Sequence, residues 1–142
     1  MSTITWSYSP QLRYIPSCDL MQEWKKAWWF IEPAVQMAGE MEEADVVEKI
    51  ATCKYHLFMV YGGDQAIGAL TLHVGKSGRR TIATIVHLGG DLDRMIPCFE
   101  DLKAWTRALG ATVLRFWGRK GWRRRAAEYG FEEKFVVMEA SI

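Results

Sequence analysis

Apolar positions recur along this chain with two different periods. Leu20, Trp24, Ala27, Trp28 and Ile31 fall at steps of three and four, which predicts an amphipathic helix capped by Ser17 or Asp19. Pro33 predicts a kink or a restart in it. A second helix is predicted over residues 42–52, with Ala44, Val47 and Ala51 inward and acids near its start, where the helix dipole favours them. The period then changes to that of strands, over residues 57–61, 66–74 and 81–88. Gly62-Gly63-Asp64 and the Gly75 to Arg80 segment separate them with turn chemistry, so these strands should be antiparallel. A further strand is expected at residues 4–8, ended by Pro10.

The last third alternates strand and helix. A helix over residues 91–109 is marked by Met95, Cys98, Phe99, Leu102, Trp105 and Leu109, and Gly110 is its stop. A strand at 112–118, a short basic helix at 120–129 and a last strand at 134–140 follow. A strand that returns after a helix must run parallel to the strand before it. The expected architecture is therefore an α/β (mixed-sheet) domain, an antiparallel meander passing into a β-α-β unit, with helices on both faces.

Length and composition narrow this further. The 142 residues, 49% of them apolar, suit one domain with one core spanning 1–142. A net charge of +1 carries no information about partners. Cys18, Cys53 and Cys98 are odd in number and widely spaced, which argues for free, buried thiols and against a disulfide framework or a zinc site. No metal site is expected. Residues 1–8 lack a basic start and an apolar run, and no apolar stretch reaches the roughly 18–20 residues of a membrane span, so a cytoplasmic protein is expected.

Three features carry candidate chemistry. His87, near the end of one strand, and His73, on its neighbour, are candidate proton acceptors, although half-buried or surface histidines account for both. Glu23, Glu32, Glu40, Glu42 and Glu43 can attract a cationic amine or simply face solvent. Arg115, Arg119, Lys120, Arg123, Arg124 and Arg125 are interleaved with Phe116, Trp117 and Trp122. That cluster reads as a solvated helix face, a phosphate or nucleic-acid site, or a protein interface. Trp29 and Phe30, off the main stripe of their helix, suggest a contact patch for a protein partner.

The strand, Gly89-Gly90, helix, strand, helix, Gly130-Phe131 order resembles the GCN5-related N-acetyltransferase (GNAT) superfamily. Within it the chain is most similar to small divergent GNAT-like proteins of tailed phages and prophages. The similarity is best at residues 85–90, 104–110 and 115–131, and residues 105–122 are its most characteristic string. The resemblance implies an acyl-CoA-dependent N-acetyltransferase using acetyl-CoA in a bacterial host cytoplasm. It implies cofactor binding by Leu88, Gly89 and Gly90 with Arg119 and Arg123, and His87 or else His73 as base.

The chain departs from the family in two places. Its turn Leu88-Gly89-Gly90-Asp91 lacks the leading Arg or Gln and the spaced glycines, and Asp91 and Asp93 suit helix capping better than a phosphate. The family's acid tyrosine, four residues before the Gly-Phe step, is Ala126 here; Tyr129 points elsewhere. A pseudoenzyme is the alternative: a GNAT-fold phage protein acting as a virion component or binding a protein or nucleic acid.

Overall fold

The computed structural model describes residues 9–118 and 120–142. At its centre are five strands in the order β1 (Pro10–Ile15), β2 (His56–Gly62), β3 (Gln65–Ser77), β4 (Arg80–Gly90) and β5 (Val113–Phe116). The first four pair antiparallel, and β5 runs parallel to β4. Two-residue loops set the register of both hairpins: Gly62 pairs with Gln65, and Ser77 with Arg80. Each loop opens on a glycine at positive φ, Gly63 and Gly78, a conformation costly for any residue with a Cβ.

Five helices cover the two faces: α1 (Leu20–Ala38), α2 (Glu43–Ala51), α3 (Leu92–Met95), α4 (Phe99–Ala108) and α5 (Arg123–Ala127). The first face packs Ile31, Val35, Val46 and Ile50 of α1 and α2 on Leu57, Met59 and Ala69. The other packs Met95, Phe99, Leu102 and Ala126 on Phe58, Leu70, Leu72 and Ile85. No described helix is long and apolar enough to cross a membrane.

Several expectations are corrected. The strand at 4–8 lies outside the described residues, and Pro10 opens a strand rather than ending one. That is tolerable because among the described residues β1 pairs only with β2, and at such an edge a missing N–H goes unmissed. Pro33 does not interrupt α1. The carbonyl it leaves unserved belongs to Trp29, on the same exposed face, where solvent can bond it. In α2, Val46 and Ile50 are buried while Ala44 and Ala51 are exposed, so the larger side chains choose the face. The helix expected at 91–109 is broken into α3, a 3-10 turn over Ile96–Cys98, and α4. Pro97 causes this, since it has no N–H and its ring crowds the preceding turn. Leu109 is exposed, and Thr106 takes the buried place after Leu102.

The strand expected at 134–140 does not form; that stretch has no regular structure. Phe131 anchors the chain after α5, 5.0 Å from Phe116 and 6.0 Å from Phe99 between ring centroids. Beyond it Phe135, Val136, Val137 and Met138 stay exposed, so strand propensity alone did not decide the outcome. Of the thiols only Cys98 is buried; Cys18 and Cys53 are exposed, and all three are free.

Polar contacts tie α1 to the sheet. The Tyr61 hydroxyl donates to Glu23 Oε2 at 2.8 Å, and the Arg13 guanidinium sits 4.2 Å over the Tyr61 ring. Burial, and then the Glu23 carboxylate, push the Tyr61 phenol up. Tyr61→Phe is expected to lower stability by about 1.5 kcal/mol, the usual range for a bond to a charged group, measured by urea denaturation. An unchanged midpoint would show that Glu23 gains as much from solvent.

Candidate functional site

The sheet opens between β4 and β5. Their pairing runs from Ile82 with Val113 to Ile85 with Phe116 and stops, while β4 continues to Gly90. Residues 86–90 therefore present a strand edge on the β5 side with no β5 residue registered against it. On the other side β4 carries a bulge: Thr71 faces His87 and Leu72 faces Ile85, so Val86 has no opposite number. A bulge bends its strand and raises its twist, and β5 on the other side ends at Phe116, level with Ile85.

His87 follows the bulge and is 3% exposed. Thr71, with no exposed surface, meets it twice: Thr71 Oγ1 lies 2.9 Å from His87 Nδ1 and accepts the His87 main-chain N–H at 3.1 Å. Burial pushes the imidazole pKa down to about 4, so the ring is neutral at physiological pH. The Tyr55 ring stands edge-on to two histidines, 6.1 Å from His87 and 6.2 Å from His73. His73 itself is exposed, and its ring lies back over Gly75, where a Cβ would meet Cε1 at 2.7 Å. Burial and then the Glu40 carboxylate raise the Tyr55 phenol. The structure thus brings both predicted histidines to one face of the sheet, around a tyrosine at the foot of β2.

Most of the predicted acids are engaged in holding the fold. Glu42 forms a capping box with Asp45 at the start of α2. Glu43 accepts the Trp24 indole N–H at 2.8 Å, Glu23 accepts from Tyr61, and Glu32 accepts from Gln36 at 3.3 Å. Glu40, between α1 and α2, is the acid whose charge reaches Tyr55.

The glycine turn is set by packing. A Cβ on Gly89 would lie 1.8 Å from the Phe30 carbonyl oxygen of α1, and one on Gly90 2.4 Å from the Ile67 carbonyl. Leu88 is buried in the core on the α4 side. The Asp91 N–H donates to Ile67 O at 3.0 Å, and Asp91 makes no side-chain cap bond although it occupies the N-cap of α3. Asp93 pairs with Arg125 at 2.6 Å, which brings α5 to the start of α3. Arg123 pairs with Glu133 at 2.9 Å, and Arg119 lies outside the described residues. Gly121 and Arg123 to Arg125 line a shallow basic depression of about 560 Å³.

A larger cleft of about 1530 Å³ lies on the outer side of β5, between α4, α5 and the C-terminal segment; Arg80, Arg107, Arg115, Phe116, Trp122 and Phe135 are among its walls. Arg115 stacks over Phe135 there at 5.3 Å. Trp29 is 78% exposed as expected of a patch, while Phe30 packs partly into the core. Sequence reasoning missed Thr71 and Tyr55. Thr71 is legible only as one polar residue inside an apolar strand, and its pairing with His87 needs the bulged register.

No protein-family model matches the sequence, and no curated protein matches it significantly. Solved structures do share its architecture. An aminoglycoside acetyltransferase from an uncultured soil metagenomic sample superposes with a TM-score of 0.70 at 15% identity, over 94% of this chain and 99% of that one. A GCN5-related N-acetyltransferase from Ralstonia eutropha gives 0.64 at 12% identity, over 93% and 98%. A GNAT family acetyltransferase from Staphylococcus aureus gives 0.62 at 10% identity, over 94% and 99%. A mixed five-stranded sheet with helices on both faces is thus the fold this chain has in common with these solved GNAT acetyltransferases.

Proposed function

We propose that the chain is an acyl-CoA-dependent N-acetyltransferase whose amine acceptor enters on the α1/α2 face. The observation that carries this reading is the edge of β4 at residues 86–90, which continues past the end of β5 with no described strand paired against it. Such an edge fits the amide-bearing arm of CoA, because strand N–H and C=O groups bond an extended amide chain as they would a neighbouring strand. The diphosphate end fits differently from the family pattern. The N–H of Asp91 is already used and both glycines are filled against protein, so the positive charge near that end comes from α5. Arg123 and Arg125 would exchange Glu133 and Asp93 for phosphate oxygens, and Arg119 belongs to the same basic segment. Acetyl-CoA, when bound, supplies the thioester carbon that the amine attacks.

The chain's own part is to hold and deprotonate the acceptor. Glu40 would draw a cationic amine toward Tyr55, and the solvent-reachable His73 would take one proton from it so that the neutral amine can attack the thioester carbon, CoA leaving as the thiolate. Calorimetry with CoA tests the reading: a saturable heat is expected, weakened by Arg125→Ala. No heat at millimolar CoA would end it. A panel of amines with acetyl-CoA, followed by thiol release, then identifies the acceptor.

The competing reading is a non-catalytic GNAT-fold protein of phage origin, in the host cytoplasm or the virion. Trp29 and Trp117, both exposed, favour a protein partner for it. Capture of one partner by the wild type but not by Trp29→Ala, from a protein silent toward CoA, would decide for it.

A further inference from the structure

Two contacts between Thr71 and His87 fix where the imidazole proton sits. Thr71 Oγ1 already accepts the His87 main-chain N–H, and it has one hydrogen of its own to give. Thr71 is fully buried, so no solvent takes that hydrogen, and His87 Nδ1 at 2.9 Å is the partner the structure gives it. Were Nδ1 the protonated nitrogen, Oγ1 would accept twice and its own hydrogen would be left buried with no acceptor, an arrangement proteins avoid. Nδ1 therefore holds a lone pair and Nε2 holds the proton. Nε2 makes no hydrogen bond to a described residue. No fully buried side-chain nitrogen or oxygen among the described residues lacks a partner, so the slight exposure His87 keeps, 3%, includes Nε2 and leaves its N–H the ring's one uncommitted donor.

We propose that His87 serves acetyl transfer as a neutral hydrogen-bond donor through Nε2–H, and that Thr71 is the positioning residue that sets this tautomer. The inference rests on the acetyltransferase reading above. It assigns His87 a different part from the base that the sequence suggests, because its only lone pair is sealed against Thr71. A neutral imidazole donor is suited to a carbonyl oxygen that gains negative charge as the amine attacks. The low proton affinity of the buried ring supports the same conclusion, since the ring stays neutral across the physiological range. Tyr55 stands edge-on to the imidazole at 6.1 Å.

Two measurements test this. The first needs no activity: long-range proton–nitrogen NMR correlation on the intact protein should show the Nε2-protonated neutral tautomer for His87. Thr71→Val should disturb that signature and Thr71→Ser should restore it; an Nδ1-protonated or charged ring in the wild type overturns the proposal. The second compares His87→Gln with His87→Ala in acetyl transfer. A glutamine amide can donate a hydrogen bond but cannot take a proton, so His87→Gln should keep most of kcat while His87→Ala loses about 100-fold or more. Equal loss in both overturns the donor role. A protein with the expected tautomer that transfers acetyl to no amine overturns the acetyltransferase reading and the donor role with it, leaving Thr71–His87 as a packing unit.

Discussion

Gly89→Ala is expected to destabilise the protein by about 3 kcal/mol or more, at the upper end of what overpacking costs. The added Cβ would sit 1.8 Å from the main-chain carbonyl oxygen of Phe30, 2.7 Å from its carbon and 3.5 Å from the Ile31 nitrogen. All three are backbone atoms of a continuous helix, so no rotamer change relieves them. The helix must move away from β4, and Ile31, with no exposed surface, moves with it. Gly110→Ala is the informative comparison. Its Cβ would meet nothing within 4 Å, so the loss there comes only from the strained φ of +90°. Thermal and urea midpoints of the two variants check this; a smaller loss for Gly89→Ala than for Gly110→Ala would show that α1 does not lie against β4 as described.

That contact also shows what was legible in the sequence. The Gly89-Gly90 pair was visible, and so was the helix that follows, but a glycine does not say what approaches it. A phosphate and the backbone of a helix fifty-odd residues upstream ask the same of the position. The period-2 and period-3.6 patterns gave both hairpins, α1, α2 and the parallel return of β5, because those elements bury one face and their sequences must alternate accordingly. Residues 134–140 failed for the same reason turned round: their β-branched pattern asks for a partner strand, and partners are not written in a local window. Pro97 was legible and overlooked, since the apolar stripe from Met95 to Leu102 runs straight across it. His87 was found from its place near a strand end. Its chemistry depends on Thr71, sixteen residues away, and on a bulge that shifts their register by one residue.

Acid should weaken this protein well before its carboxylates protonate. The His87 imidazole titrates at about 4 in the folded chain because burial disfavours its charge, against 6.5 when unfolded. Between those values the unfolded chain binds a proton that the folded chain refuses, so unfolding becomes easier as pH falls. The stability is fully present above about pH 7, is lost progressively through the window, and its loss is complete below about pH 4. A difference of about 2.5 units, at 1.36 kcal/mol each, makes the effect roughly 3 kcal/mol from one residue. His56, also pushed down by burial and then by His73, adds in the same direction. Urea midpoints measured from about pH 7.5 to about pH 4 should therefore fall steeply for the wild type. In His87→Gln, which cannot titrate there, the slope should flatten even if the variant is less stable at neutral pH. Parallel curves for the two proteins would mean that the folded chain charges His87 as readily as the unfolded chain does, and the bond that ties Nδ1 to Thr71 would have to be abandoned.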